Sequence, residues 1–144
     1  MTNNPSTPPQ ILTGRCMCGA VSYKMSAPPL AVGLCHCNRC RPQAGSAFST
    51  VMFVQRDAFE MNGETAVFED VGASGMKALR RFCPQCGSPL MTEAHVTPTL
   101  FFVKAGGLDQ PDWLRPTFEM FVSRRMAWVS AIPGAAQFDG NPTL

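Results

Sequence analysis

Charge is scarce in this sequence: Asp, Glu, Lys and Arg together make up 15% of 144 residues, and the net charge is +2. So mild a balance excludes a chain built to hold nucleic acid or an anionic membrane through its charge. No apolar run approaches the ~20 residues that a bilayer-spanning helix needs. The opening MTNNPSTPPQ has neither the basic start nor the apolar stretch of a secretory signal, and residues 1–10 read as a short disordered lead-in. Long helices are excluded too, because 12 glycines and 13 prolines interrupt the chain too often for one to run. There is no tandem repeat and no internal linker. Residues 11–144 read as a single domain, long enough to bury a core without covalent staples.

What is present between the breakers is β-type. Val21, Tyr23 and Met25 alternate with smaller or polar neighbours, the period-2 pattern of a half-buried strand. Similar strands are expected at Phe48–Val54, Thr65–Glu69, Met76–Phe82, Thr99–Lys104 and Phe118–Val122. A single helical turn is expected near Asp57, and another over Arg39–Ala44 that Pro42 cuts short. The tail from Ile132 reads as a loop. The fold class is therefore mainly β.

Seven cysteines are also present, an odd number that argues against a simple disulfide framework. Without a secretory signal they point to a cytoplasmic chain whose thiols stay reduced, free for metal or redox chemistry. They fall in three groups: Cys16-Met17-Cys18, Cys35-His36-Cys37-Asn38-Arg39-Cys40 and Cys83-Pro84-Gln85-Cys86. Residues two apart in a strand share a face, so Cys16 and Cys18 are expected to present both sulfurs to one ion, with Gly19 easing the turn behind them. Cys83 and Cys86 form a metal knuckle relieved by Gly87. The two pairs together supply the four thiolates of a closed tetrahedral zinc site.

Cys35 and Cys37 are expected to share a strand face, with Cys40 curling back to join them and His36 turned away. Three ligands and an open position are the arrangement of a catalytic zinc. Three thiolates leave such a centre with one net negative charge, which disfavours making hydroxide from water and suits a soft fourth ligand, a substrate thiol. Spacing alone leaves other pairings of the cysteines open, and a redox switch with them.

The series GRCMCGAVSY, CHCNRCRPQAGSAF, RRFCPQCGSPL, VKAGGLDQP and SRRMAWV resembles, in that order, the glutathione-dependent formaldehyde-activating enzyme family. The resemblance runs from Gly14 to Gly140. It implies a β-tent fold, two layers of antiparallel sheet organised around zinc, with two zinc ions per chain. It also implies that Cys16, Cys18, Cys83 and Cys86 hold a structural zinc and that Cys35, Cys37 and Cys40 hold a catalytic one. The founding activity of the family is condensation of formaldehyde with glutathione to S-hydroxymethylglutathione, a carbon–sulfur lyase run in reverse. The partner so implied is a small thiol or thiol adduct; the low net charge and the uncharged lead-in argue against nucleic acid, and the want of a long apolar run against a membrane. A non-catalytic zinc module presenting a protein-interaction surface, and a thiol redox or metal-buffering protein, are the alternatives.

Around the second group, Arg41–Phe48 is expected to line a pocket, with Gly45 and Ser46 bringing backbone close and Phe48 forming an apolar wall. Arg41 reads either as an anion-reading group or as a solvated charge. Arg124 and Arg125 read as strand-edge charges, with carboxylate recognition the minor alternative. Trp128 is expected to close a core. Glu119, opposed to its neighbours Phe118 and Met120 in a strand, is expected in solvent. His95 receives no role.

Overall fold

The computed structural model describes residues 7–143, so residues 1–6 of the expected lead-in lie outside the described residues. The strands in chain order are β1 (Leu12–Arg15), β2 (Ser22–Met25), β3 (Ala31–Cys35), β4 (Ser49–Gln55), β5 (Phe59–Asn62) and β6 (Ala66–Val71). They continue with β7 (Lys77–Phe82), β8 (Pro89–Ala94), β9 (Leu100–Lys104), β10 (Phe118–Met120) and β11 (Ala136–Phe138). A small antiparallel sheet has the order β1-β2-β5, and a large one the order β11-β10-β3-β4-β9-β8-β7-β6. The fold is mainly β, as expected.

One feature of the large sheet differs from purely antiparallel layers. β10 runs parallel to both β3 and β11. Parallel neighbours require a crossover rather than a hairpin, and the long excursions on either side of β10 supply it. The tail from Ile132 is accordingly not all loop, since it contains β11.

Side chains of β4 alternate between two apolar clusters. Met52 and Val54 point with Leu12, Tyr23 and Met25 into the larger one. Val51 and Phe53 join Cys35, Phe118 and Met120 in the other. A strand covered on both faces must be apolar almost throughout, which is what VMFV provides. The Phe118 ring lies over Gly33, where an added Cβ would come within 2.3 Å of it; only glycine lets β10 seat against β3.

The one α-helix among the described residues, α1 (Cys40–Ala44), is a single turn. Pro42 does not end it: the ring sits in the first turn, where its missing N–H has no partner to lose. The turn ends at Gly45, which takes φ +64° and donates its N–H to Pro42 O at 3.3 Å. A 3-10 turn at Arg56–Ala58 matches the one expected near Asp57.

Candidate functional site

The first thiol group forms where two turns meet. Cys16 follows the last residue of β1, and the chain then folds back, with Gly19 at φ +80° donating to Cys16 O at 3.1 Å. Cys16 and Cys18 thus converge through a turn rather than along a strand face. Cys83 follows β7 directly, and Gly87 at φ +77° donates to Cys83 O at 2.8 Å, bending Cys86 back toward Cys83. The sulfurs of Cys16, Cys18, Cys83 and Cys86 all lie within 4.8 Å of one another. Cys16 and Cys18 are 3.6 Å apart at sulfur, and Cys18 and Cys83 are 3.7 Å apart. A tetrahedron with Zn–S of about 2.3 Å places its sulfurs ~3.8 Å from one another, so the donor set fits zinc.

The second group closes over one short loop. Cys35 ends β3, Cys40 opens α1, and Cys37 lies in the turn between, its sulfur accepting the Cys40 N–H at 3.2 Å. These three sulfurs also lie within 4.8 Å of one another. Arg41 braces the loop by donating to His36 O at 3.2 Å and to Asn38 Oδ1. In this structure it braces the loop. Cys37 is the first of the three to ionise, because the Cys35 and Cys40 thiols donate to it and hold it far below the ordinary thiol value. Cys35 is pushed upward by donating to Cys37, by its contact with Cys40 and by burial. Three adjacent sulfurs therefore ionise together only against a cation, which is what a bound metal ion supplies.

His36 turns away from the sulfurs, as expected, and meets a residue expected in solvent. His36 and Glu119 are both fully buried, with Nε2 and Oε1 2.8 Å apart. Glu119 does oppose Phe118 and Met120, but the face it points to is covered by the segment after β10. There Oε2 accepts from Ile132 N at 2.9 Å and Gln137 Nε2 at 2.8 Å, and Arg125 pairs with it at 3.3 Å. Burial pushes the carboxyl up, but the Gln137, His36, Ile132 and Arg125 partners outweigh it and hold it at about 2. Arg125 is thus an internal counter-ion, and neither it nor Arg124 lies in a strand. Trp128 is 76% exposed, while Trp113 takes the place in the core that Trp128 was expected to fill. His95 is exposed in a turn.

Beside the two groups lies a cavity of about 640 Å³, lined among others by Arg15, Cys16, Ser46, Phe48, Ser49 and Lys104. Ser46 and Phe48 line it as expected, whereas Arg41 and Gly45 do not. None of Cys35, Cys37 and Cys40 is in its wall. The link to them is made by strand register: Cys35 pairs with Ser49, and Val51 pairs with Lys104, so all four project on one face. Lys104 Nζ donates to Ser49 Oγ at 2.7 Å, and the residue is only 7% exposed. Burial lowers its pKa and the Arg80 charge adds to that, while Cys40, Cys35 and Cys37, once ionised, work against it. Phe48 packs against the His36 ring at 5.7 Å between centroids. At the mouth, Arg15 grips Asp109 through two bonds of 2.9 and 3.1 Å. Sequence reasoning passed over Lys104, Ser49 and the Arg15–Asp109 pair; the VKAGGLDQP motif contains two of these residues.

A sequence model of the glutathione-dependent formaldehyde-activating enzyme family matches residues 11–124. The chain belongs to this family. A curated protein of Colletotrichum graminicola, provisionally named for the same activity, is 30% identical over 92 residues. That match takes in 62% of this chain and 48% of the relative, so the chain spans about half the length of the curated relative it matches. A crystal structure of a Rhodobacter sphaeroides protein superposes with a TM-score of 0.54 at 15% identity, over 88% of this chain and 98% of that one. That likeness speaks for the fold alone. Family membership and the two thiol groups agree on a protein able to bind metal. No helix among the described residues is long and apolar enough to cross a membrane.

Proposed function

We propose that this family member is a zinc enzyme of carbon–sulfur lyase type, acting on a small thiol or its aldehyde adduct such as S-hydroxymethylglutathione. Cys16, Cys18, Cys83 and Cys86 would hold a closed structural ion, and Cys35, Cys37 and Cys40 an open one that takes part in the chemistry. The observation that carries this reading is the three-sulfur group, one donor short of a closed site, whose Cys35 pairs in the sheet with Ser49 in the wall of a cavity of about 640 Å³. That volume suits a small-molecule ligand. Bound there, zinc would hold a substrate sulfur in its thiolate form.

The remaining roles belong to the chain. Phe48 keeps one wall dry, Ser46 and Ser49 offer hydroxyls to a polar substrate, and the Arg15–Asp109 pair at the mouth faces its charged ends. Arg41 and the Cys40 N–H fix the loop so that the three sulfurs are presented together. We further infer a single zinc-binding domain over residues 11–144, in the cytoplasm, supported by seven cysteines that are all unpaired.

Cobalt in place of zinc makes the open site visible, because a fourth sulfur ligand strengthens the thiolate-to-metal absorption. Glutathione and cysteine should change the spectrum, and S-methylglutathione, which lacks the thiol, should not. Equal responses to all three would overturn sulfur coordination.

A further inference from the structure

Lys104 presents an unusual electrostatic situation. An ammonium this buried is costly unless an opposite charge or a full set of hydrogen bonds accompanies it. Its hydrogen-bond acceptor is the neutral hydroxyl of Ser49, and among the described residues no carboxylate lies within ion-pair distance of it. The groups whose ionisation would offset it are Cys40, Cys35 and Cys37, while the Arg80 charge acts in the opposite sense. The strand register fixes this placement, since Lys104 lies diagonal to Ser49, and Ser49 pairs directly with Cys35. Lys104 also lines the cavity, so one residue both faces the space a substrate would enter and shares a sheet face with Cys35.

We propose that Lys104 is the built-in counter-charge of the Cys35/Cys37/Cys40 centre and a positioning residue that makes the centre select an anionic fourth ligand over a neutral one. The inference rests on the open-site reading above. A metal dication on three thiolates carries one net negative charge, and Lys104 cancels it. An incoming thiolate then leaves the ensemble with one negative charge instead of two, while the thiol proton goes to solvent. A neutral ligand gains nothing from the lysine. At an effective dielectric near 20, a unit charge about 6–12 Å away, the range expected two strands across the sheet, corresponds to about 10- to 100-fold in affinity. Ser49 aims the ammonium, and β9 keeps it from swinging out to water.

The test uses the full chain loaded with cobalt, at one pH, with three probes: 2-mercaptoethanol, azide and imidazole. Lys104→Gln keeps a donor for Ser49 and removes the charge; Lys104→Met removes both, and Lys104→Arg keeps the charge. Cobalt content and the circular dichroism spectrum establish which variants fold. Both neutral variants should bind 2-mercaptoethanol and azide about 10- to 100-fold more weakly. Imidazole affinity should stay within about twofold, and Lys104→Arg should retain anion binding. Anion and imidazole affinities falling together, or anion affinity unchanged in Lys104→Gln, would overturn the counter-charge role. If azide binding depends on Lys104 while 2-mercaptoethanol never binds the wild-type protein, the lysine's role stands and the thiol-substrate reading fails. If 2-mercaptoethanol binds wild type and Lys104→Gln equally well, the substrate reading stands and the lysine's role fails.

Discussion

Replacing Cys18 by serine should reveal how much of the stability passes through the first thiol group. Cys18 is exposed and Cys83 fully buried, so Cys18→Ser removes a donor without opening a hole in the core, as Cys83→Ser would. An ion bridging Cys18 and Cys83 closes a loop across a sequence separation of 65. Treated as a cross-link on the unfolded chain, a loop of that length is worth ~4 kcal/mol. A chain of this size shifts by about 4 °C per kcal/mol, so the melting temperature should fall by about 15 °C. Cys37→Ser breaks only the short Cys35–Cys40 loop, worth ~2 kcal/mol on the same relation. That loop is also pinned by Arg41 through His36 O and Asn38 Oδ1, bonds the substitution leaves in place, so a fall below about 5 °C is expected. Calorimetry paired with zinc analysis of each variant reads both effects. Cys18→Ser should lose the tightly held ion, and Cys37→Ser the labile one. A Cys18→Ser protein melting within about 3 °C of wild type would refute the cross-link reasoning. Equal losses from the two substitutions would mean the sites are assigned wrongly.

Purified without chelator, the protein should carry about two zinc ions per chain, one of which resists mild chelation while the other leaves; a single tight ion with Cys35, Cys37 and Cys40 freely reactive toward a thiol reagent would contradict this. Glu119, held at about 2 in the fold against ~4.3 when unfolded, contributes stability that is complete above about pH 5 and lost as pH falls toward 2. In acid titrations followed by circular dichroism, Glu119→Gln should be less stable at neutral pH and should lose less on acidification than wild type, the thiolate titration being common to both proteins. Gly33→Ala should destabilise by about 1–3 kcal/mol through overpacking against the fully buried Phe118; denaturant midpoints within error of wild type would show that β10 shifts freely instead.

The thiol groups were legible because their members are close in sequence and each ends in a turn glycine, Gly19, Gly45 or Gly87, that takes a positive φ. The local geometry was less so: turns, not strand faces, bring Cys16 to Cys18 and Cys35 to Cys37. β2, β4, β6, β7, β9 and β10 were readable from alternation or β-branched runs. β3 and β8 were not, because residues such as Val32–Cys35 and Leu90–Thr92 are buried consecutively and show no period. β1, β5 and β11 are three or four residues long and exist through their neighbours. Lys104 was invisible for a similar reason. A lysine at the end of a strand is ordinarily solvated, and only the pairing of β4 with β3 and β9 shows that this one is enclosed. For Glu119 the alternation gave the correct direction, but the residues covering that direction come later in the chain.

Those later residues carry a consequence for anyone shortening the protein. The family match ends at residue 124, after every cysteine, and a fragment trimmed there would still hold all seven thiols. It would lack Arg125, Ile132 and Gln137, leaving His36, among the described residues, as the sole remaining side-chain partner of the Glu119 carboxylate. β10 would also lose its outer neighbour β11 and become a bare edge. The loop between Cys35 and Cys37 would then rest on a hydrogen bond opened to water. The smallest portable unit for engineering is therefore set by the carboxylate's last donor at Gln137, not by the last sulfur at Cys86.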